Sequence, residues 1–352
     1  MHSMKQVRQR ISSIKGTRQM TTTMKVVALA RLKKKHACLL QATPYLTEMD
    51  RMMRRLIRSV SIRQEMQEAH LLPPLLTGKG QDEKYVVVAI TSDTGLNAGA
   101  TLSVLQKTEE LIHYLLAEKK QVQIVSFGTH GTGFLKHTFP NLTLHEIPQK
   151  SVDQEQGYLL ASRLMMDLID AFYSDKMDAC LCVYNHFENM AVQYPMIHQL
   201  IPNHQYENKN PWDFLIHSKE FYRRKNVLGQ SKLVLQKAAL YKAVGHQNIA
   251  GPWGQMNAEI LHATTRKAEA YDYEPGDSAL LNQMLPIYLA AYIHTILLDS
   301  SVCDEAARLM AMDNATHNAD EMLTDLVREY RHLRQDKITT ETIQLMSGVM
   351  GG

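Results

Sequence analysis

The chain has 352 residues, 45% hydrophobic and 21% charged, with a formal net charge of +3. That composition supplies a sizeable core and argues against a disordered chain or a uniform polycation. Four scattered cysteines (Cys38, Cys180, Cys182, Cys303) without a CxxC pair argue against a disulfide framework or a zinc site and favour a reducing compartment.

A charged helical pattern begins by Lys5 with no apolar segment before it, so no signal peptide is expected. Val7, Ile11, Ile14, Met24, Val27 and Ala28 repeat at a helical period. From Leu39 the seam continues through Ala42, Leu46, Met49, Met53, Leu56 and Val60 in steps of three and four, the pattern of a helix packed along a helix. Gly16 and Pro44 interrupt it, and a bend is expected near residues 40–44 rather than an end. Residues 1–70 thus read as one N-terminal helical arm. Residues 71–84 break the pattern and read as a linker.

Strands are then expected at Val86–Thr91, Val122–Phe127, Leu142–Ile147, Ala179–His186 and Ala191–Ile201, and helices at Leu102–Lys119 and Gln154–Tyr173. This alternation predicts a Rossmann-like α/β domain over residues 84–202 with a largely parallel sheet. Cys180 and Cys182 should point the same way and be buried. Residues 203–265, with eight bases against four acids, read as an inserted helical element, with helices around Asp213–Val244 and Met256–Tyr271. From residue 275 a C-terminal helical arm follows, over Ala279–Leu298 and then from Ser300 to the end. Pro286 is expected in its first turn, and the apolar run Leu285–Leu298 is too short to span a bilayer.

The last fifty residues carry a stripe at Ala315, Ala319, Met322, Leu326, Tyr330 and Leu333 and project on the order of 70 Å, so they need an equally long partner. Charge names it: residues 1–63 hold fifteen Lys/Arg against two acids, Glu48 and Asp50, and residues 300–352 hold five bases against nine acids. The fold class is therefore α/β plus coiled coil, with long antiparallel terminal helices and a central α/β domain.

Catalytic signals are weak. FGTHGTGF lacks GxGxxG spacing and is expected to be a tight turn with no well-formed helix following at once. Ser92, Asp93 and Thr94 end the first strand, but one Asp without a placed partner reads as a structural turn. Sixteen histidines form no ligand cluster on one helix face, and neither a metal nor a cofactor is expected. The patch Arg31, Lys33, Lys34 and Lys35 lacks the interleaved aromatics of a single-strand binder, which favours a protein-facing helix over nucleic acid.

Both ends resemble the gamma subunits of rotary F-type ATP synthases. RQRISSIKGTRQMTTTMKVVALARLKK is similar to that family's N-terminal helix, EAARLMAMDNATHNADEM and RQDKITTETIQLMSGV to its C-terminal helix, and ITSDTGLNAG to the loop after its first strand. The resemblance implies a central rotor shaft that transmits torque between a membrane c-ring and the catalytic beta subunits. Such a chain has no catalytic site of its own and works in a complex driven by protons or sodium. It implies a single copy per complex, bound to the alpha and beta subunits of the catalytic hexamer, the epsilon subunit and the c-ring. It also implies a peripheral membrane location at the cytoplasmic face of a bacterial inner membrane, or at an organellar inner membrane if the chain is processed.

By position, the resemblance puts Arg334 and Gln335 at the catch loops of beta and Met24 and Lys25 at its acidic lever segment. Arg308, Thr339 and Glu341 match the same coupling region. Thr94, Asn97, Ala98, Asp336, Lys337 and the Met-Gly-Gly tail depart from the family pattern, and the 203–265 element has no match in it. Two other readings remain open from sequence: an α/β enzyme with helical arms, and a basic-helix scaffold or nucleic-acid-binding protein.

Overall fold

The apolar steps from Val7 to Val60 wind into one helix, α1, Met4–Gln67, with Gly16 and Pro44 inside it. The computed structural model describes residues 4–67, 72–93, 95–97, 99–147, 154–203, 273, 274 and 276–350. The 203–265 element falls almost entirely outside the described residues. A four-residue turn of helix, α2 (Pro74–Thr77), leads into the strands.

The sheet elements follow in order: β1 Lys84–Ile90, α3 Ala100–Ala117, β2 Gln121–Phe127, α4 Thr129–Thr138, β3 Leu144–Ile147, α5 Gln154–Tyr173, β4 Ala179–Phe187 and β5 Gln193–Ile201. The closing helix, α6, runs from Asp277 to Met350 without the expected division near Ser300. Its 74 residues amount to about 110 Å at ~1.5 Å each. Pro286 lies inside it rather than in its first turn. Leu281 and Leu285 are fully buried, so packing holds the turn ahead of the proline that propensity alone would release.

Two units are distinguished: Met1–Lys33, Leu96–Ala98 and Glu305–Gly352 form one, and Lys34–Gly95 with Gly99–Asp304 the other. The second holds a five-stranded sheet in the order β3-β2-β1-β4-β5. β1 pairs in parallel with β2 and β4, and β2 with β3, because helical crossovers join them. Only β5 is antiparallel, joined to β4 by a short hairpin. There the Asn189 side chain accepts the Ala191 and Val192 N–H groups, which is why β5 starts at Gln193 and not at Ala191. Pro195 is tolerated because β5 is an edge strand.

The period-two alternation of the strands sorts the core into two layers. Val87, Ala89, Ile124, Leu181, Val183 and Ile197 pack with α3 and α4 residues such as Leu111, Ile112 and Leu135. On the other face Val86, Val88, Phe127, Cys180, Cys182 and Leu200 pack with α5 and with Leu46–Val60 of α1 and Leu281–Leu297 of α6. Each long helix thus contributes one stretch to the cover of the sheet. One window of α6 is long and apolar enough to cross a membrane by composition, but it is 89% buried, as in a core helix.

FGTHGTGF is not the expected isolated turn, since α4 begins at Thr129, directly after Gly128. Its glycines serve close approach rather than helix breaking. Gly128 has φ +93, and a Cβ there would lie 2.3 Å from the Thr91 carbonyl oxygen; a Cβ on Gly131 would lie 2.3 Å from Thr91 Oγ1.

The first unit is the outer stretch of α1 with that of α6. The chains run antiparallel: Arg18 Nε meets Asp320 Oδ1 at 2.6 Å, the Thr21 and Thr316 hydroxyls lie 2.9 Å apart, and Lys25 Nζ meets Asp313 Oδ1 at 2.6 Å. The complementary charges expected from the two ends therefore pair directly. Val7, Thr21, Ala28 and Leu32 are buried on α1, and Ala306, Leu309, Met312 and Ala319 on α6. Val27 and Met322, expected on the seams, are 44% and 57% exposed. The seam is narrow, and a position one step off it turns to solvent.

Candidate functional site

In the sheet unit, an open α/β fold binds ligands where the strand order reverses, here at the C-terminal ends of β1 and β4. Those ends are occupied by protein groups. Asp93 Oδ1 accepts the Thr129 N–H at 2.7 Å, so a carboxylate already sits at the start of α4, where a phosphate would otherwise be drawn. Asn185 donates from Nδ2 to the Ala100 carbonyl at 2.7 Å and accepts from Ser103 Oγ at 3.1 Å. His186 Nδ1 lies 2.6 Å from Asp299 Oδ2, and the Phe187 N–H donates to Asp299 Oδ1 at 3.0 Å.

Burial pushes the thiols of Cys180, Cys182 and Cys303 and the phenol of Tyr184 up, so all stay protonated at neutral pH. It pushes His198, stacked at 4.7 Å on Tyr292, down to about 4, and lowers His294 as well. None of these is poised for proton transfer near pH 7. Tyr288 donates to Asp50 Oδ1 at 3.1 Å and Arg54 Nε to Asp50 Oδ2 at 2.8 Å, so the buried Asp50 of α1 is held by two donors. The chemistry these groups can do is holding, not reacting.

The helix unit carries all seven residues expected from sequence to contact partners. Lys25 is engaged with Asp313, both about half exposed, and Met24 beside it is partly buried. Arg308 is 7% exposed and pairs at 2.5 Å with Glu305, itself 3% exposed, so it faces inward along α6. Arg334 and Gln335 are exposed. Thr339 donates to the Gln335 carbonyl at 2.9 Å, and Glu341 pairs loosely with Lys337 at 3.6 Å. Ile338, Ile343 and Met346 on the same stretch are 52%, 62% and 64% exposed, so this end of α6 offers apolar as well as charged groups to its surroundings. Of the departures from the family pattern, Thr94 and Ala98 lie outside the described residues, Asn97 is buried, and Asp336 and Lys337 are exposed.

Sequence reading missed the buried polar set Asn185, His186, Asp299 and Cys303. A signal existed: Asp299 closes an otherwise apolar helical run, and a buried acid requires a partner.

Comparison with known proteins agrees with this architecture. The family model described as ATP synthase matches residues 3–350. The ATP synthase gamma chain of Rhodospirillum rubrum is 31% identical over 350 residues, and that of Paracoccus denitrificans 28% over 348, each match covering 99% of both chains. Among solved structures, a chain of the Euglena gracilis mitochondrial ATP synthase OSCP/F1/c-ring assembly aligns with a TM-score of 0.52 at 15% identity, covering 99% of this chain and 94% of that one. A chain of the Tetrahymena thermophila mitochondrial central stalk and c-ring aligns at 0.50 and 18%, covering 84% and 99%. At those identities the structures speak for the fold, and the sequence relatives for the family. The chain belongs to the ATP synthase gamma chain family.

Proposed function

We propose that this chain is the rotor shaft of an F-type ATP synthase, carrying torque between a membrane c-ring and the catalytic beta subunits. Its family makes it a non-catalytic subunit with a central-stalk role in the membrane-bound complex. The observation that carries the torque reading is the continuity of α6: one unbroken helix begins in the core of the sheet unit and ends as half of an antiparallel pair. A continuous hydrogen-bonded helix is an element suited to carrying a twist.

The outer surface of the pair fits a shaft that turns against acidic levers. Arg8, Arg10, Lys15, Arg31 and Lys33 are exposed on α1, giving a sequence-wide attraction rather than one locking contact. Arg334 and Gln335 supply charge-assisted hydrogen bonds to the catch loops of beta, Met24 and Lys25 face its lever, and Thr339 and Glu341 add angular preference. Arg308, being buried, acts by holding α6 rather than by touching beta. The partners in this reading are alpha, beta, epsilon and the c-ring, with one copy of the chain per complex, at the cytoplasmic face of a bacterial inner membrane.

Affinity purification of the tagged chain should bring down alpha and beta in equal amounts, both in excess over the chain. A chain that elutes alone, or with nucleic acid in a steeply salt-dependent way, contradicts the reading. Arg334→Glu combined with Gln335→Ala should lower ATP-driven ion pumping while the sheet unit stays folded. Unchanged hydrolysis and pumping would remove those two residues from the coupling surface.

A further inference from the structure

Three consecutive residues at the end of β4 hold two successive turns of α6. The Asp299 carboxylate is taken at both oxygens, by His186 Nδ1 at 2.6 Å and by the Phe187 N–H at 3.0 Å. One turn further along, the Cys303 thiol donates to the Asn185 carbonyl at 3.3 Å. Asn185 is itself fixed from behind, through its amide to the Ala100 carbonyl and through Ser103 Oγ at the start of α3. His186, Asp299, Asn185 and Cys303 are all 3% exposed or less.

As a source of stability this arrangement is poor. A buried imidazole–carboxylate pair carries a desolvation penalty that hydrophobic residues of similar volume would avoid, and His186 Nε2 is left without a partner among the described residues. What directional polar contacts add to apolar packing is a setting defined at the atoms they join. Leu285, Leu289, Ile293 and Leu297 hold α6 by packed volume, which carries no directional contact. Turning α6 about its axis by ~20° would move a side-chain atom about 2 Å, enough to break a hydrogen bond. Contacts on two turns fix the axial position as well as the rotation.

We infer that Asn185, His186 and Phe187 form a clasp on Asp299 and Cys303 that locks the rotational and axial setting of α6 in the sheet unit, so that torque enters the helix without slip. This rests on the shaft reading. His186 and Asp299 are positioning residues in it, acting through α6.

The test uses the full complex reconstituted in vesicles, with ATP hydrolysis and ATP-driven ion uptake measured on the same preparation. His186→Phe combined with Asp299→Leu replaces the pair with apolar groups that can still pack. The ratio of uptake to hydrolysis should fall at least about fivefold from the parent, while Asp299→Asn, which keeps an acceptor for the Phe187 N–H, should recover most of it. A merely structural pair would lower assembly yield and leave that ratio at the parent value in whatever complex forms. A parent-like ratio in the double variant therefore overturns the clasp. If the double variant does not assemble, Asp299→Leu and Cys303→Val, made singly, decide it: a parent-like ratio in both overturns the clasp, and a fall in either supports it. A parent chain that assembles and hydrolyses ATP without any coupled uptake removes the shaft reading and the clasp with it, an outcome distinct from a parent that couples and variants that do so equally well.

Discussion

Between Tyr288 and Leu298 every residue of α6 is buried, including His294 and Thr295, whereas between Asp313 and Ile343 Ala319 alone is. The first stretch is a core element enclosed by one face of the sheet, α5 and the Leu46–Val60 stretch of α1. The second is a narrow seam against α1, flanked by half-exposed ion pairs. One helix is thus specified in two ways: by volume, where nearly every side chain matters, and by a thin stripe plus charge, where most positions are free. A surface of the second kind suits a shaft, because it stays paired while leaving its flanks open to neighbours that change as it turns.

Truncation should separate the two stretches most clearly. Leu289→Ala, at a fully buried position, should cost about 2–5 kcal/mol in denaturant unfolding of the purified chain. Met322→Ala on the outer stretch should stay within ~0.5 kcal/mol. Equal losses at both sites would erase the distinction. Close helix–sheet approach gives the next effect: Gly131→Ala places a methyl against Thr91 and should cost about 1–3 kcal/mol.

A pH effect sharpens the contrast further, because His198 on β5 packs against Tyr292 of the enclosed stretch. His198 is held neutral beside Tyr292, with its pKa lowered to about 4 from an unfolded value near 6.5. As pH falls below 6.5 the unfolded chain takes up that proton before the folded one does. Stability present above pH 6.5 should therefore drain away down to about pH 4, by on the order of 3 kcal/mol. His198→Phe should flatten that part of the stability–pH curve, and an unaltered curve would show that another group is responsible.

An effect as small as that of Met322→Ala belongs to the ion pair that flanks the outer stretch. Lys25→Ala should change stability by less than ~1 kcal/mol and should lose even that in high salt, since the Asp313 pair is half exposed. A larger, salt-independent loss would mean that the outer pair is held electrostatically after all.

Periodicity made the helices and strands legible: the Leu46–Val60 seam is buried as the spacing requires, and helix α5 runs over the expected residues. Charge asymmetry made the antiparallel pairing legible, through Arg18–Asp320 and Lys25–Asp313. What one-dimensional pattern could not carry was long-range placement. Gly131 looked like a breaker because its reason, the Thr91 side chain, lies forty residues away. Pro286 looked like a helix start because the packing of Leu281 is tertiary. That parts of α1 and α6 would cover one face of the sheet was invisible for the same reason, as was the meeting of His186 with Asp299. The partner-facing roles proposed for Arg334, Gln335, Thr339 and Glu341 rest on family resemblance, and the fold adds only that Arg334 and Gln335 are exposed.

The central claim is that this chain turns. With the catalytic hexamer fixed to a surface and a visible probe attached to the sheet unit, ATP should drive unidirectional stepping of the probe. ATP hydrolysis that proceeds at the full rate while the probe stays still would contradict the shaft.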